Sequence, residues 1–195
     1  MPTPGTAITM LTFLILLLLG VCVLILFGTM AILALMLVST FMTRVPFVPI
    51  TTETLEKAIR SYSKNPDTGV FYDLGSGDGR VVFAFARLYP NARATGFEIG
   101  PFPYLLSKCI GYFSRTANAS IRYESFLHAD LSGATHIFIY LFPFMVERLA
   151  KKFDTELKPG AEVISCDFPI TSKEPRKTIE VVSKSRKHTL YLYEF

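Results

Sequence analysis

The segment Asp73-Leu74-Gly75-Ser76-Gly77-Asp78-Gly79 begins at the end of the mainly apolar run at residues 70–74 and precedes a segment with helical periodicity that begins near Arg80. The apolar run predicts a short buried strand, so the glycines lie in a turn between a strand and a helix. Glycine lets the backbone approach a ligand and adopt positive φ, and the following helix offers unpaired N–H groups. The segment therefore predicts a ligand site at the carboxyl end of the first strand of an open α/β sheet.

Strand and helix patterns alternate on both sides of this turn. Strands are predicted at 70–74, 93–99, 120–124, 135–141 and 161–168, and helices at about 51–63, 80–89, 101–115 and 144–157. Two last strands, 178–183 and 189–195, alternate around a basic turn, which is typical of a β-hairpin. We therefore expect an α/β domain whose mostly parallel sheet is covered on both faces and carries a C-terminal antiparallel hairpin at its edge.

The spacing of glycines and acids indicates the class of ligand. A dinucleotide fingerprint requires glycine at position 80, where this chain has Arg80. Instead, Asp73 precedes the glycines, and Glu98 closes the second strand. The first acid suits a ligand with a cationic end, and Glu98 can accept hydrogen bonds from both hydroxyls of a ribose. Together they describe a site for S-adenosylmethionine; the alternatives are a site for NAD or another nucleotide, and a glycine turn with incidental acids.

The N-terminal part of the chain has a different character. The first charged residue is Arg44, and residues 8–42 are almost entirely apolar. About 20 helical residues cross a hydrocarbon core of ~30 Å, so this run must tilt, protrude, or break near Gly20 or Gly28. We predict one transmembrane helix that contacts the lipid bilayer through residues 8–42. A re-entrant hairpin and a cleaved signal peptide are the alternatives.

The charge distribution sets the predicted domain boundary and orientation. Residues 1–43 form the predicted anchor, and residues 44–195 suit a single domain. Basic residues follow the apolar run, namely Arg44, Lys57, Arg60 and Lys64. The positive-inside rule then places the domain on the cytoplasmic side, or on the matrix side in an organelle. This arrangement excludes a uniformly soluble protein and a polytopic transporter.

Other partners are not indicated by the composition. The formal net charge of +4 comes without a long basic run, so we predict no nucleic-acid partner. Three widely separated cysteines, Cys22, Cys109 and Cys166, show no metal-ligand spacing and are interpreted as buried free thiols. We predict no bound metal.

Several segments resemble the class I S-adenosylmethionine-dependent methyltransferases, and more narrowly the membrane-anchored protein lysine methyltransferases and their prokaryotic relatives. Known substrates of that family include the c subunit of ATP synthase and the adenine nucleotide translocase. The resemblance lies in residues 45–49, 73–80, 96–98, 130–132, 139–143 and 163–168. It implies a Rossmann-like class I methyltransferase sheet, S-adenosylmethionine as cofactor, and protein-lysine N-methyltransferase activity.

The resemblance also implies roles for individual residues. The methionine part of the cofactor would contact Asp73, Gly75, Ser76, Gly77 and Asp78, and the ribose would contact Glu98. Relatives carry Asp or Asn after the third strand to contact the adenine; this chain has Ser125, followed by Phe126, which can pack on the adenine. Residues 45–52, including Pro49 and Thr51, would cover the cofactor as a lid.

The acceptor amine would bind after the fourth strand, at Leu141, Phe142 and Pro143. Carbonyls of this segment, or Asp167, would orient the amine, and no residue stands out as a dedicated base. Asp130 is interpreted either as an active-site acid or as a turn cap. The histidines are interpreted as structural or surface residues, namely His128, His136 and His188.

The leading hypothesis is an anchored enzyme that methylates lysine in a membrane or membrane-associated protein. Its alternatives are a methyltransferase for a small membrane molecule, such as a quinone or lipid precursor, and a non-catalytic protein that binds the cofactor. We also expect residues 44–195 alone to keep cofactor binding but to lose the natural acceptor.

Overall fold

The computed structural model describes residues 4–43, 48–183 and 186–195 of the chain. The first element, α1, spans Pro4–Thr43 and continues through Gly20 and Gly28 without a break. It is therefore one helix and not a hairpin. By length and composition alone, residues Ile8–Thr43 are able to cross a membrane. The first part of the predicted lid, residues 45–47, lies outside the described residues.

The rest of the chain builds one seven-stranded sheet. Its strands are β1 (Val70–Leu74), β2 (Arg93–Glu98), β3 (Ala119–Tyr123), β4 (His136–Ile139), β5 (Glu162–Cys166), β6 (Lys177–Val182) and β7 (Lys187–Glu194). They lie in the order β3-β2-β1-β4-β5-β7-β6. Strands β1 to β5 are parallel, and β7 pairs antiparallel with both β5 and β6. The predicted α/β class and its C-terminal antiparallel hairpin are confirmed.

Helices cover both faces of the sheet. They are α2 (Thr52–Ile59), α3 (Arg80–Leu88), α4 (Pro101–Ser114) and α5 (Pro143–Glu156). Alternate residues of a strand point to opposite faces, so Phe71 and Leu74 of β1 enter different cores. Phe71 stacks on Phe85 in the core under α2 and α3, whereas Leu74 belongs to the core under α5. Asp73 points to the same face as Phe71 and lies two residues nearer the glycine-rich turn.

Some predicted boundaries move because of contacts between distant parts of the chain. The helix predicted at 51–63 ends at Ile59, and the Tyr62 hydroxyl donates a hydrogen bond to the Ile137 carbonyl oxygen at 2.7 Å. The basic turn of the hairpin is shorter than expected, because Lys187 and His188 belong to β7.

The prediction of buried cysteines is correct only for Cys166. Cys22 and Cys109 are exposed. Cys22 lies on α1, whose side chains have few neighbours in the protein, and Cys109 lies on the outer face of α4. A pattern of apolar residues does not by itself tell which face of a helix meets the core when both faces are apolar.

A buried carboxylate joins the segment after α2 to the start of β5. Glu162 is 4% exposed, and its carboxylate accepts hydrogen bonds from the N–H groups of Ser63 and Lys64 at 2.9 and 3.0 Å. His136 Nε2 lies 3.8 Å from the same group. Glu162 therefore pairs backbone N–H groups that lie outside any helix or strand.

We predict that Glu162→Gln destabilises the protein by about 1–3 kcal/mol, because an amide NH₂ would face a backbone N–H donor. The measurement is urea denaturation of the full chain in detergent, followed by circular dichroism. Glu180→Gln is the matched control, since Glu180 is exposed and pairs with exposed Lys187, and its effect should stay within about 0.5 kcal/mol. Equal effects of the two substitutions would contradict the assignment.

Candidate active site

The glycine-rich turn is held against the end of β2. Gly75, Gly77 and Gly79 have φ angles of 85°, 55° and 79°, in the left-handed region that favours glycine. The N–H groups of Gly75 and Ser76 both donate to the Phe97 carbonyl oxygen, at 2.9 and 3.0 Å. The turn therefore lies across the carboxyl ends of β1 and β2, where open α/β sheets bind ligands.

Asp73 is buried at this turn with part of its carboxylate unpaired. Its side chain is 2% exposed, and Oδ2 has no hydrogen-bond partner within the described residues. Burial raises the pKa of Asp73 well above its usual value, and the nearby charges of Glu98 and Asp78 raise that pKa further. A cationic ammonium group would supply both the missing donor and the missing opposite charge.

Glu98 is fixed by backbone donors at the next strand end. Its Oε2 accepts from the Gly77 N–H at 2.8 Å, and its Oε1 accepts from the Gly100 N–H at 2.6 Å. Burial raises the pKa of Glu98, while these backbone hydrogen bonds lower it. Each oxygen keeps acceptor capacity, so the carboxylate can receive the two hydroxyls of a ribose.

Asp78 pairs with Arg80, which was not among the predicted site residues. The Asp78 carboxylate accepts from Arg80 Nε at 2.9 and 3.0 Å, and this hydrogen bonding raises the pKa of Arg80. Arg80 Nη1 also donates to the Ile50 carbonyl oxygen at 3.2 Å. Arg80 thus links the turn to the segment that follows α1.

One cavity of about 540 Å³ brings most of the predicted site residues together. Those that line it are Pro49, Asp73, Gly75, Ser76, Gly77, Asp78, Glu98, Phe126, Leu141 and Phe142. Their individual roles stay predictions.

Four predicted residues are not among the residues lining this cavity. Thr51 is the N-cap of α2, and the Ser125 hydroxyl accepts from the Leu127 N–H at 3.3 Å in a local turn. Pro143 begins α5, and Asp167 adjoins Phe168, which does line the cavity. Ser125 therefore has a local structural partner, and its contact with the adenine stays a prediction.

The end of α1 also lines the cavity, which no sequence signal indicated. The contributing residues are Met36, Ser39, Thr40 and Thr43. Ser39 is buried; its hydroxyl donates to the Leu35 carbonyl oxygen and accepts from the Phe102 N–H, both at 2.8 Å. A boundary between an anchor at 1–43 and a domain at 44–195 stays a prediction, but the two parts share this wall.

Tyr140 lines the same cavity and lies close to the contact between Asp167 and His188. Asp167 has a φ of 65°, unusual for a residue other than glycine, and accepts from the Thr189 N–H at 3.0 Å. His188 Nδ1 lies 2.8 Å from Asp167 Oδ2. Burial, followed by the charge of Asp167, raises the pKa of Tyr140 to about 12, so its phenol stays protonated at neutral pH.

The fold also places Cys166 beside this pair. One potential ligand atom from each of Cys166, Asp167 and His188 lies within 4.8 Å of the others. The group could hold a metal ion, although the hydrogen bond between Asp167 and His188 explains the same geometry. His188 was interpreted from the sequence as structural or surface, since only the pairing of β7 with β5 brings it to this position.

Asp130 takes the role of a turn cap. It is exposed, and its carboxylate accepts from the Ser132 N–H at 2.8 Å. Hydrogen bonding from the Ser132 side chain, followed by that from the Ser132 N–H, lowers the pKa of Asp130. It does not line the cavity.

Comparisons with known proteins assign the family. The model of the ANTKMT methyltransferase domain matches residues 73–177. A protein-lysine N-methyltransferase from Saccharolobus islandicus (strain REY15A) is 32% identical over 157 residues, which cover 79% of this chain and 96% of that protein. A lysine N-methyltransferase of the ATP synthase c subunit, from Xenopus laevis, is 32% identical over 131 residues, which cover 67% of this chain and 56% of that protein. The chain therefore spans only a little over half of this animal relative.

A solved structure agrees with the fold and the cofactor. The chain is similar to an RNA methyltransferase from Salinibacter ruber in complex with S-adenosyl-L-homocysteine, with a TM-score of 0.68 and 30% identity. The match covers 75% of this chain and 93% of that chain.

We predict that Asp73→Asn weakens S-adenosylmethionine binding about 10- to 100-fold, because an amide cannot pair with the ammonium charge. Isothermal titration calorimetry of the full chain measures this change. Asp154→Asn, at an exposed position on α5, removes the same charge elsewhere and should leave the affinity unchanged. Equal affinity of Asp73→Asn and the unsubstituted protein would remove Asp73 from the site.

The same residue should make binding depend on pH. In the free protein the pKa of Asp73 is raised, and an ammonium ligand favours the carboxylate form, so binding releases a proton. Affinity should then rise as the pH rises through the raised pKa of Asp73, as long as the pH stays below the titration of the ligand's own α-amino group at ~7.7–8.0. Asp73→Asn should flatten this dependence, and titrations in buffers of different ionisation enthalpy report the released proton.

Asp73 is buried, and its Oδ2 has no hydrogen-bond partner in the described part of the chain, so it suits the cationic end of the cofactor. Glu98, held by backbone N–H groups, suits the ribose end. The family match begins at Asp73 and includes the whole glycine-rich turn, so sequence similarity and site geometry concern the same residues. The chain therefore belongs to the ANTKMT methyltransferase domain family, a group of S-adenosylmethionine-dependent methyltransferases with curated protein-lysine N-methyltransferases among its members.

Proposed function

We propose that this chain is a membrane-anchored protein-lysine N-methyltransferase whose acceptor belongs to a membrane or membrane-associated protein. The observation that carries the proposal is the shared wall of the cavity. The last turns of α1, the candidate membrane span, line the same cavity as Asp73 and Glu98. With α1 in a bilayer, the cavity is confined to the membrane surface, and acceptors there are met at a raised effective concentration.

The charge pattern supports an assignment of the side of the membrane that the catalytic domain faces. Lys57, Arg60 and Lys64 follow the candidate span within a short stretch, as does Arg44. We propose that the catalytic domain faces the cytoplasm, or the matrix in an organelle.

Methyl transfer requires alignment and a dry site more than acid–base chemistry. In the cofactor the methyl group is bound to a cationic sulfur. This sulfur is a good leaving group for an in-line displacement at the methyl carbon. The chain binds the two ends of that molecule through Asp73 and Glu98. Apolar side chains on the cavity wall, Phe126, Leu141 and Phe142 among them, exclude water around the reacting atoms.

A lysine acceptor has to reach the cavity as a neutral amine, although its ordinary pKa is ~10.4. An apolar wall disfavours the ammonium form and lowers that pKa. Asp167 does not line the cavity, but its carboxylate, held by His188 and the Thr189 N–H, lies beside Tyr140, which does, so Asp167 is suited to orient the amine through the Tyr140 hydroxyl. Tyr140 keeps its proton and can donate or accept beside it.

We predict that Asp167→Asn lowers the rate of lysine methylation about 100-fold, within the range for a positioned polar group in proton transfer. Cofactor affinity should stay the same, because Asp167 follows β5, two strands away from Asp73 on β1. Rates come from transfer of labelled methyl groups, and thermal unfolding checks that the variant is folded. Asp130→Asn, on an exposed turn, is the control. A folded Asp167→Asn variant with an unchanged rate would place the acceptor elsewhere.

The proposed function itself is tested by incubating the purified full chain with methyl-labelled S-adenosylmethionine and its own membrane fraction. We expect label in a membrane protein, mapped to lysine by mass spectrometry, and much less label with Asp73→Asn at a low cofactor concentration. Label only in the lipid extract would favour a small membrane molecule as substrate. Label only in RNA would favour the activity named for the Salinibacter protein; either outcome would refute the proposal.

A further inference from the structure

Helix α4 carries apolar side chains on both of its faces. Tyr104 and Ile110 pack towards the core. On the outer face lie Leu105, Cys109, Tyr112 and Phe113, which we call the α4 stripe; Tyr112 is 80% and Phe113 is 79% exposed. Their spacing of i, i+4, i+7 and i+8 places them on one side of the helix. Large aromatic side chains in a continuous exposed stripe indicate a contact surface.

The α4 stripe continues from the contact between α4 and α1. The hydrogen bond from the Phe102 N–H to the Ser39 hydroxyl joins the first turn of α4 to the last turns of α1. Phe102 precedes Leu105 by three residues, so it lies next to the stripe along the helix surface. Any bilayer that contains α1 therefore lies close to α4.

The length of α1 indicates where α4 lies relative to the hydrocarbon core and the headgroup layer of the bilayer. Residues Ile8–Thr43 number 36 and span about 54 Å at 1.5 Å per residue. With a tilt of up to 40°, roughly 26 residues fill a hydrocarbon core of ~30 Å. About ten residues are left over, and Ser39, Thr40 and Thr43 make the end next to the domain suitable for the headgroup layer. Of these, Ser39 contacts the first turn of α4 through Phe102.

The composition of α4 matches an anionic headgroup layer. Residues 101–115 include Lys108 and Arg115 but no acidic residue. Tyr112 and Phe113 pack edge to face with centroids 5.3 Å apart, and aromatic rings are enriched at membrane interfaces. Lys108 is engaged with the Ile121 carbonyl oxygen at 3.0 Å, so Arg115 is the basic residue better placed to reach phosphate groups.

We propose that the α4 stripe is a second membrane contact, inserted in the headgroup layer of an anionic bilayer. This second contact rests on the proposed anchoring of the protein by α1. Two helices then hold the cavity at the bilayer surface, and the domain has a fixed orientation there. A second copy of this chain packed on the same stripe is the competing occupant.

Two native cysteines allow a direct test on the full chain in vesicles of phosphatidylcholine and phosphatidylglycerol. Cys22→Ser leaves Cys109 for an environment-sensitive fluorophore, and Cys109→Ser leaves Cys22, because Cys166 is buried. Nitroxide lipids labelled at the headgroup or in the middle of the acyl chain report depth. We expect the Cys22 label to be quenched from the acyl chain, and the Cys109 label chiefly from the headgroup.

A third label serves as the control for proximity to lipid. Glu180→Cys, in a chain that also carries Cys22→Ser and Cys109→Ser, places the fluorophore on β6, at the opposite edge of the sheet from β3. Six strand spacings separate these edges, about 29 Å. We expect this label to stay unquenched.

Substitutions then test the stripe itself. Tyr112→Ser combined with Phe113→Ser should abolish most of the headgroup quenching at Cys109, whereas Val182→Ser, an exposed apolar position on β6, should not. An unquenched Cys109 label together with a quenched Cys22 label would overturn this inference and leave the anchor intact. Cross-linking of Cys109 between two chains without quenching would assign the stripe to a second copy and also overturn it. An unquenched Cys22 label would refute the anchor, and this inference with it.

Discussion

The pair of hydrogen bonds from the Gly75 and Ser76 N–H groups to the Phe97 carbonyl oxygen determines the geometry of the site. They fold the glycine-rich turn across the end of β2, and the left-handed φ angles at three glycines make this path possible. As a result, Gly77 can donate to Glu98, and Asp73 faces the same cavity. The two carboxylates that suit opposite ends of the cofactor are thus placed by backbone contacts, before any ligand is bound.

The part of the site that depends on this turn could be predicted from the sequence. A strand, a glycine-rich turn and a helix are local in the chain, and their residue types report their conformation directly. Asp73 and Glu98 follow because parallel strands end at one edge of a sheet. The mostly parallel sheet and its antiparallel hairpin also follow from the alternation of elements, since few topologies fit such a sequence.

The rest could not be predicted because it depends on contacts between residues far apart in the chain. Ser39 and Phe102 are separated by 63 positions, and nothing near Ser39 distinguishes it from other small polar residues in α1. His188 reaches Asp167 only through the pairing of β7 with β5. In the sequence Arg80 excludes a dinucleotide fingerprint and ends a segment that resembles the family, but no contact of its side chain could be predicted. In the fold it binds both Asp78 and the Ile50 carbonyl oxygen. Cys109 lies on the exposed outer face of α4. The sequence could not identify that face, because α4 carries apolar residues on both of its faces.

The contact between Ser39 and Phe102 has a consequence for how α1 tolerates change. Successive residues of an α-helix are rotated by about 100° around its axis. An insertion or deletion of one residue between Ser39 and the end of α1 would therefore have to be absorbed between α1 and α2, or it would turn Ser39 away from Phe102. The same change before Met36 would alter the length of the helix but not the angular position of Ser39. The two ends of α1 are thus subject to different constraints. Changes near its N-terminus affect only its length, whereas changes near its C-terminus affect the direction in which Ser39 points.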